Sequence, residues 1–411
     1  MKIAVVGAGI VGVTTAFELT AQQHEVTVFE SRGSVATQGS FAQPGLLAAC
    51  APLPWGVPGL ARRLAPWLGP QTVLRQLPWF WQHQRAMRPA AQSERALAMQ
   101  ALAHASRKRL GELTQQLNLA YEQQSGGLVL LSRPAQVAAV NRAMKVQAPG
   151  YEGLELLDAD AARALEPGLA ATWPLRAAVR LPSAMVGNGR QLAHLLKAQA
   201  HKLGAVFRFD SEVTAIRPGL PASVVLAGGE TQSFDAVVVC AGLGSRRLLA
   251  AAGLKLPLLA PWGHAVTAPL SHLEGLGDSP DAPRAAVVDA SNGIVISRLG
   301  QRVRVAGAEE VGGRANTVGA TALKRLYAAL EATFPGCAVT RDARHWKGPR
   351  PQLPDGAPVI GPAAAPGLWL NTGHGAHGWA LACGAAQLLA QQMARQPMAF
   401  DVRAFSLQRL G

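Results

Sequence analysis

The sequence predicts an α/β fold, α+β overall, in which the chain builds part of a parallel sheet, leaves it for an inserted mixed-sheet domain, and returns. Three stretches predict this. The first, Lys2-Ile3-Ala4-Val5-Val6-Gly7-Ala8-Gly9-Ile10-Val11-Gly12, reads as a buried strand, a glycine turn and the start of a helix. The second, Ala236-Val237-Val238-Val239-Cys240-Ala241-Gly242-Leu243-Gly244, is again an apolar strand running into glycines. The third, Leu368-Trp369-Leu370-Asn371 followed by Thr372-Gly373-His374-Gly375-Ala376-His377-Gly378-Trp379, repeats the pattern near the other end of the chain.

Gly7, Gly9 and Gly12 form G-x-G-x-x-G. The first glycine allows the tight turn, the second lets a pyrophosphate approach the backbone, and the third lets helix and strand pack closely. The free N–H groups of the helix start, at Ile10 and Val11, then face the phosphates. The second strand, His24 to Phe29, ends at Glu30, about 18 residues past Gly12. An acid there accepts hydrogen bonds from a ribose diol and repels a 2′-phosphate, which disfavours NADP. Ser31 and Arg32 lie beside it, and Arg32 weakens that exclusion slightly. Ala241-Gly242 is a second place where backbone can approach a phosphate or ribose. Gly373, Gly375 and Gly378, at the start of the last helix, make a third anion site. His374-x-x-His377 with Cys383 lacks a convincing fourth ligand, so no metal is expected.

The 411 residues suffice for two domains. Lys and Arg number 39 against 25 Asp and Glu, a net charge of +14. That balance suits nucleic acid, an anionic membrane surface, or an anionic substrate and cofactor. The charge is scattered and no zinc-finger or basic-helix pattern occurs, so nucleic acid is the least favoured partner. Cys50, Cys240, Cys337 and Cys383 have no C-x-x-C spacing, which fits a reducing, cytoplasmic compartment. The glycine fingerprint inside the apolar N-terminal run argues against a cleaved leader. No run of about 18 apolar residues predicts a transmembrane helix.

In chain order, the loop 31–45 reads as ordinary surface by composition, with Ser40, Gln43 and Gly45 its candidates for polar contacts to a ligand. The stretch 44–89 carries Trp55, Trp67, Trp79 and Trp81 among Arg62, Arg63, Arg75, Arg85 and Arg88, without an acid. It suits either a bilayer interface or a buried lobe, and its prolines break any long amphipathic helix. Helices are expected over 93–119, 134–144, 158–165, 189–204 and 320–334. Strands are expected at 128–131, 177–181, 205–209, 223–226, 231–234, 285–289, 293–298 and 302–307. The nucleotide sheet resumes at 236 after an excursion of roughly 140 residues, well beyond an ordinary loop. The expected division is 1–50, 187–255 and 345–411 for the nucleotide domain, and 51–186 with 256–344 for the substrate domain.

These pieces resemble the D-amino-acid oxidase superfamily of FAD enzymes, most closely its bacterial D-amino-acid dehydrogenase small-subunit branch. The resemblance spans nearly the whole chain. It rests on GAGIVG with Glu30, CAGLGS at 240–245, GPRPQLPDGAPVIG at 348–361 and NTGHGAHGW at 371–379. It implies a discontinuous, Rossmann-like domain holding extended, non-covalent FAD, with the isoalloxazine facing a β-rich substrate domain. The residues named above are then its cofactor contacts, with Val213, Gly348, His377 and Trp379 added. The implied reaction is oxidation of an amino acid's Cα–N bond by hydride transfer to flavin N5, with electrons passing to a quinone or other carrier. Peripheral contact with the inner face of a bacterial membrane accompanies that acceptor.

In relatives the arginine of G-x-R-P grips the substrate carboxylate, a role that falls here on Arg350. His374 is expected to border the flavin. The family's K-G-Y pattern stands here as Trp262-Gly263-His264, and a polar patch as Ala184-Met185-Val186. Both changes are expected near the substrate, with His264 as a third catalytic candidate, and they point to a bulkier or cyclic amino acid. The S-x-x-N-x-G of relatives reads Ser40-Phe41-Ala42-Gln43-Pro44-Gly45, which alters the flavin edge. Alternatives are an oxygen-using oxidase of glycine, sarcosine or D-amino acids, a flavin-binding subunit with little activity alone, and an NAD dehydrogenase.

Overall fold

A computed structural model of the chain describes residues 1–48, 70–86, 89–145, 153–271, 281–311, 317–398 and 400–410. Its centre is a six-stranded sheet in the order Val359–Pro362, Leu368–Thr372, Ala236–Val239, Lys2–Val6, Glu25–Phe29 and Val206–Arg208. Every pairing is parallel except that of the edge strand Val359–Pro362. Ile3 and Val5 pack under helices on one face, while Ala4 and Val6 pack with the antiparallel strands Val213–Arg217, Ala222–Leu226 and Thr231–Phe234 on the other. Burial on both faces is why these strands read as continuous apolar runs.

The second sheet has eight strands in the order Arg344–Pro349, Trp262–Pro269, Arg302–Glu310, Ile294–Leu299, Ala286–Asp289, Leu128–Leu131, Ala177–Arg180 and Glu155–Asp158. It is mixed, because Ala286–Asp289 runs parallel to Leu128–Leu131 and the other neighbours are antiparallel. Helix Ala320–Thr333 covers one face through Leu326 and Leu330 against Val266, Val303 and Val305.

Two segments sit differently from the expected division. Helix Pro89–Leu117, assigned with 51–186 to the substrate side, packs on the parallel layer, burying Leu102, Leu110 and Leu113 with Ile3 and Val5. The approach is close because Gly384 lacks a side chain; a Cβ there would lie 2.7 Å from the Ser106 amide nitrogen. Arg109 of this helix also donates to Glu18 at 2.7 Å. Arg344–Pro349, all but its first residue assigned to the nucleotide side, pairs along Trp262–Pro269 and forms the edge of the eight-stranded sheet. Sequence patterning shows how a helix or strand is covered, but it does not show which layer does the covering.

Of the tryptophan-rich stretch, Trp55, Trp67, Arg62, Arg63 and Arg88 lie outside the described residues, as does the side chain of Arg75. Helix Pro70–Ala86 divides the rest: Trp79 is buried and stacks on His83, whereas Trp81 is 75% exposed. Among the described residues, no helix is long and apolar enough to cross a membrane.

Candidate active site

The three glycine turns converge at the carboxyl ends of the parallel strands and line one cleft with about 1210 Å³ of empty space, continuous with solvent. Gly7 sits at φ +103°, and a Cβ on it would come within 2.7 Å of the Cys240 carbonyl oxygen, so only glycine fits. Helix Ile10–Ala21 opens on Gly9 without a side-chain cap of its own; the Ile10 amide donates to Ser40 Oγ at 3.1 Å. Glu30 closes the second strand, and its Oε2 accepts from the Ala8 amide at 2.7 Å. At the far end Gly373 and Gly375 take φ +82° and +55° and lead into helix Gly378–Met393.

Of the residues singled out in the sequence, the cleft wall includes Gly7, Gly9, Ile10, Val11, Glu30, Ser31, Ser40, Gln43, Val213, Ala241, Gly242, Gly373, His374, Gly375 and Gly378. Gly12, Arg32, Gly45, His264, Gly348, Arg350, His377 and Trp379 are not in it, although Arg350 lies between two residues that are. Gly12 serves packing, since a Cβ there would overlap the Gly7 carbonyl oxygen at 1.9 Å. Trp379 donates from Nε1 to the Gly45 carbonyl at 2.9 Å and lies against Gly187 and Gly189, which anchors the loop from behind. Gly348 leaves room for the Trp346 ring. The sequence reading missed Thr37, Gln38, Gly39, Ser211, Glu212, Arg247, Asn371 and Thr372. Asn371 and Thr372 stood inside a quoted motif, and Arg247 just behind CAGLGS, so proximity to the turns was the available signal. Glu212 and Arg247 form an exposed ion pair at 2.5 Å.

The eight-stranded sheet supplies the opposite wall. Strand alternation puts Gly263, Ala265, Trp346 and Gly348 on one face and His264, Val266 and Lys347 on the other. The first face meets the cleft loop, because Ala265 and Trp346 cluster with Phe41 and Ala42. The second meets helix Ala320–Thr333. Arg350 follows directly between Pro349 and Pro351, which both line the cleft. The Nε–Nη2 side of its guanidinium lies against Gly263, where a Cβ would be only 2.5 Å from Nε and 2.7 Å from Nη2. Arg350 is buried; Nη1 donates to Glu309 Oε1 at 2.6 Å, while Nε and Nη2 find no partner among the described residues.

His264 is not brought to this group. It is fully buried on the far face, with Nδ1 3.0 Å from the Ala308 carbonyl oxygen and Nε2 3.8 Å from Glu310 Oε1. Burial lowers its pKa. The expectation of a catalytic role failed because neighbouring strand positions face opposite ways. Ala184-Met185-Val186 lies off the cleft wall as well, in a small sheet with Leu46–Leu47 and Gln124–Ser125. His374, by contrast, is in the cleft, 5% exposed, and burial followed by the charge of His377 drives its pKa down to about 3. Its Nε2 has no partner among the described residues. The imidazole is therefore neutral at ordinary pH.

The model of the FAD-dependent oxidoreductase family, DAO, matches residues 2–392. The chain belongs to this family. It is 36% identical over 402 residues to the D-amino acid dehydrogenases of two Cereibacter sphaeroides strains, covering 95% of this chain and 91% of each relative. Its fold is that of glycine oxidase from Geobacillus kaustophilus (23% identity, TM-score 0.78, 99% of this chain and 98% of that one). Iminodiacetate oxidase from Chelativorans sp. BNC1 is similar (22% identity, TM-score 0.74, 98% of each chain).

FAD is thus the cofactor, and the cleft suits it. Glycine turns and Glu30 line it, and Gln43 Oε1, Asn371 Oδ1 and His374 Nε2 are buried polar atoms without partners among the described residues. No group of three or more His, Cys, Asp or Glu converges as a metal site among the described residues.

Proposed function

We propose that this chain oxidises a D-amino acid, or a related secondary amino acid, at its Cα–N bond and delivers the electrons to a quinone or another carrier. Bound FAD supplies hydride acceptance at N5. The protein's part is positioning. Arg350 receives the substrate carboxylate on Nε and Nη2, in the planar two-bond geometry a guanidinium favours. Helix Gly378–Met393 begins at the cleft wall, where its positive end would favour negative charge on a bound flavin. Neutral His374 adds a polar edge without adding charge. Trp346, stacked on Phe41 at 6.5 Å, holds the cleft loop against the eight-stranded sheet.

The observation that carries this reading is the pair of buried, unpaired N–H groups on Arg350, a cost that a carboxylate relieves. Arg350→Lys and Arg350→Ala are expected to keep FAD while raising KM for amino acids at least tenfold. Wild-type kinetics in both variants removes the assignment. Peroxide formation under air decides between the carrier and oxygen as acceptor. Peripheral contact with the inner face of a membrane, from a cytoplasmic location, is supported by Leu77, Trp81 and Arg85, exposed at four-residue spacing on helix Pro70–Ala86, and by the net charge of +14. Flotation with anionic liposomes at low salt tests it; protein that stays at the bottom of the gradient rules it out.

A further inference from the structure

The strand Arg302–Glu310 carries one extra residue. Trp262 pairs with Glu310 and His264 with Gly307, so two steps on one strand face three on the other. This is a β-bulge, with Gly307 at φ +149° and Ala308 at φ +48°. Its effect is to reverse the alternation. Before it, the even positions face the cleft: Ala306 clusters with Ala42, and Arg304 donates from Nη1 to the Gln43 carbonyl at 2.9 Å. After it, Glu309 takes that face and meets Arg350, while Glu310 turns to the other side and pairs with Lys347. Two adjacent acids thus serve opposite faces, and the bulge decides which of them reaches the candidate carboxylate site.

Glu309 already matches the positive charge of Arg350. Arg304, on the same face, is engaged with Thr267 Oγ1 and the Gln43 carbonyl. A carboxylate arriving on Nε and Nη2 therefore meets a neutral pair, and it lies on an adjacent edge of the same plane as a fixed negative charge. Arg350 is buried and the Glu309 side chain is 28% exposed, so like charges at such range repel, though less than in a closed interior.

We propose that Glu309 sets the charge requirement of the substrate site: it admits a carboxylate that carries its own cation on the neighbouring carbon, an α-ammonium, and rejects 2-hydroxy acids and N-acylated amino acids. This rests on Arg350 holding the carboxylate. Glu309 becomes a specificity-determining residue.

The test is calorimetric binding to the FAD-loaded protein. The probes are 2-aminoisobutyrate, which has no Cα–H to lose, and 2-hydroxyisobutyrate, its match in shape; glycine and glycolate serve if the quaternary carbon is too wide. The wild type is expected to favour the amino acid at least tenfold. Glu309→Gln keeps an acceptor for Nη1 and removes the charge; it is expected to shrink that preference at least tenfold, mainly by tightening the hydroxy acid. Glu309→Asp is expected to restore it. An unchanged ratio in Glu309→Gln, or equal weakening of both probes, overturns the proposal and leaves a structural role. A wild type that binds the hydroxy acid as well as the amino acid overturns it too. Arg350→Ala separates the two readings: if it binds both probes as the wild type does, the carboxylate assignment fails, whatever Glu309 does.

Discussion

Gly263→Ala offers a direct test of the seat beneath Arg350. The added methyl would lie 2.5 Å from Nε, 2.7 Å from Nη2 and 2.8 Å from Cζ, all closer than real contacts allow. The backbone itself accepts alanine, since Gly263 is a strand residue without a positive φ. What must move is the far end of a side chain, and Glu309 holds it on one edge only. The guanidinium therefore tilts away from its free edge, and one charge-assisted hydrogen bond to the carboxylate is lost. Such a bond contributes about 1.5–3 kcal/mol. At 1.4 kcal/mol per factor of ten, KM for amino acids should rise roughly ten- to 150-fold. Flavin content should stay complete, because Gly263 is outside the cofactor wall. Steady-state kinetics with an artificial dye acceptor, beside the flavin absorbance, measures both. An unchanged KM refutes the reasoning; lost flavin together with lost activity would place the fault in folding.

The remaining expectations concern the cofactor turn and pH. Gly7→Ala forces a side chain into φ +103° and against the Cys240 carbonyl, neither of which can yield; a cost of about 1–3 kcal/mol and poor flavin retention should appear in the melting temperature and the flavin-to-protein absorbance ratio. Glu166 is buried, and burial raises its pKa from 4.5 to about 6. The folded state thus binds that proton more tightly than the unfolded chain, so its contribution is fully present below about pH 4.5 and is lost as pH rises through about 6, a change of roughly 2 kcal/mol. Glu166→Gln keeps an acceptor for the Arg284 amide and should flatten this part of the stability profile; a profile that keeps the wild-type slope would assign the effect to another group.

Much of the cofactor cleft was legible because a phosphate-binding turn needs glycines at fixed spacing, and spacing is visible in a linear chain. Gly7, Gly9, Gly242, Gly373 and Gly375, far apart in the chain, all line the one cleft. Glu30 was legible for the same reason. Local periodicity also located most helices and strands, such as Gly189–Lys202 and Ala320–Thr333. What stayed hidden depends on contacts across the fold. Helix Pro89–Leu117 has an apolar stripe that any layer could cover, and only its contacts across the fold, such as Ser106 against Gly384 and Arg109 with Glu18, show which one does. His264 lies one position from Gly263, and only pairing with Lys347 and packing against helix Ala320–Thr333 reveals that it looks the other way. Glu309 carried no signal at all, because the irregularity that aims it is a matter of register.

That irregularity gives strand pairing a chemical meaning. Regular pairing through Ala308 would set that methyl opposite Gly263 and turn Glu309 to the far side, leaving the arginine without its acid although no residue had changed. Deleting Ala308 would take out the extra residue and leave Glu309 where it is. In this part of the protein, how a strand is paired governs recognition as firmly as which residues it carries.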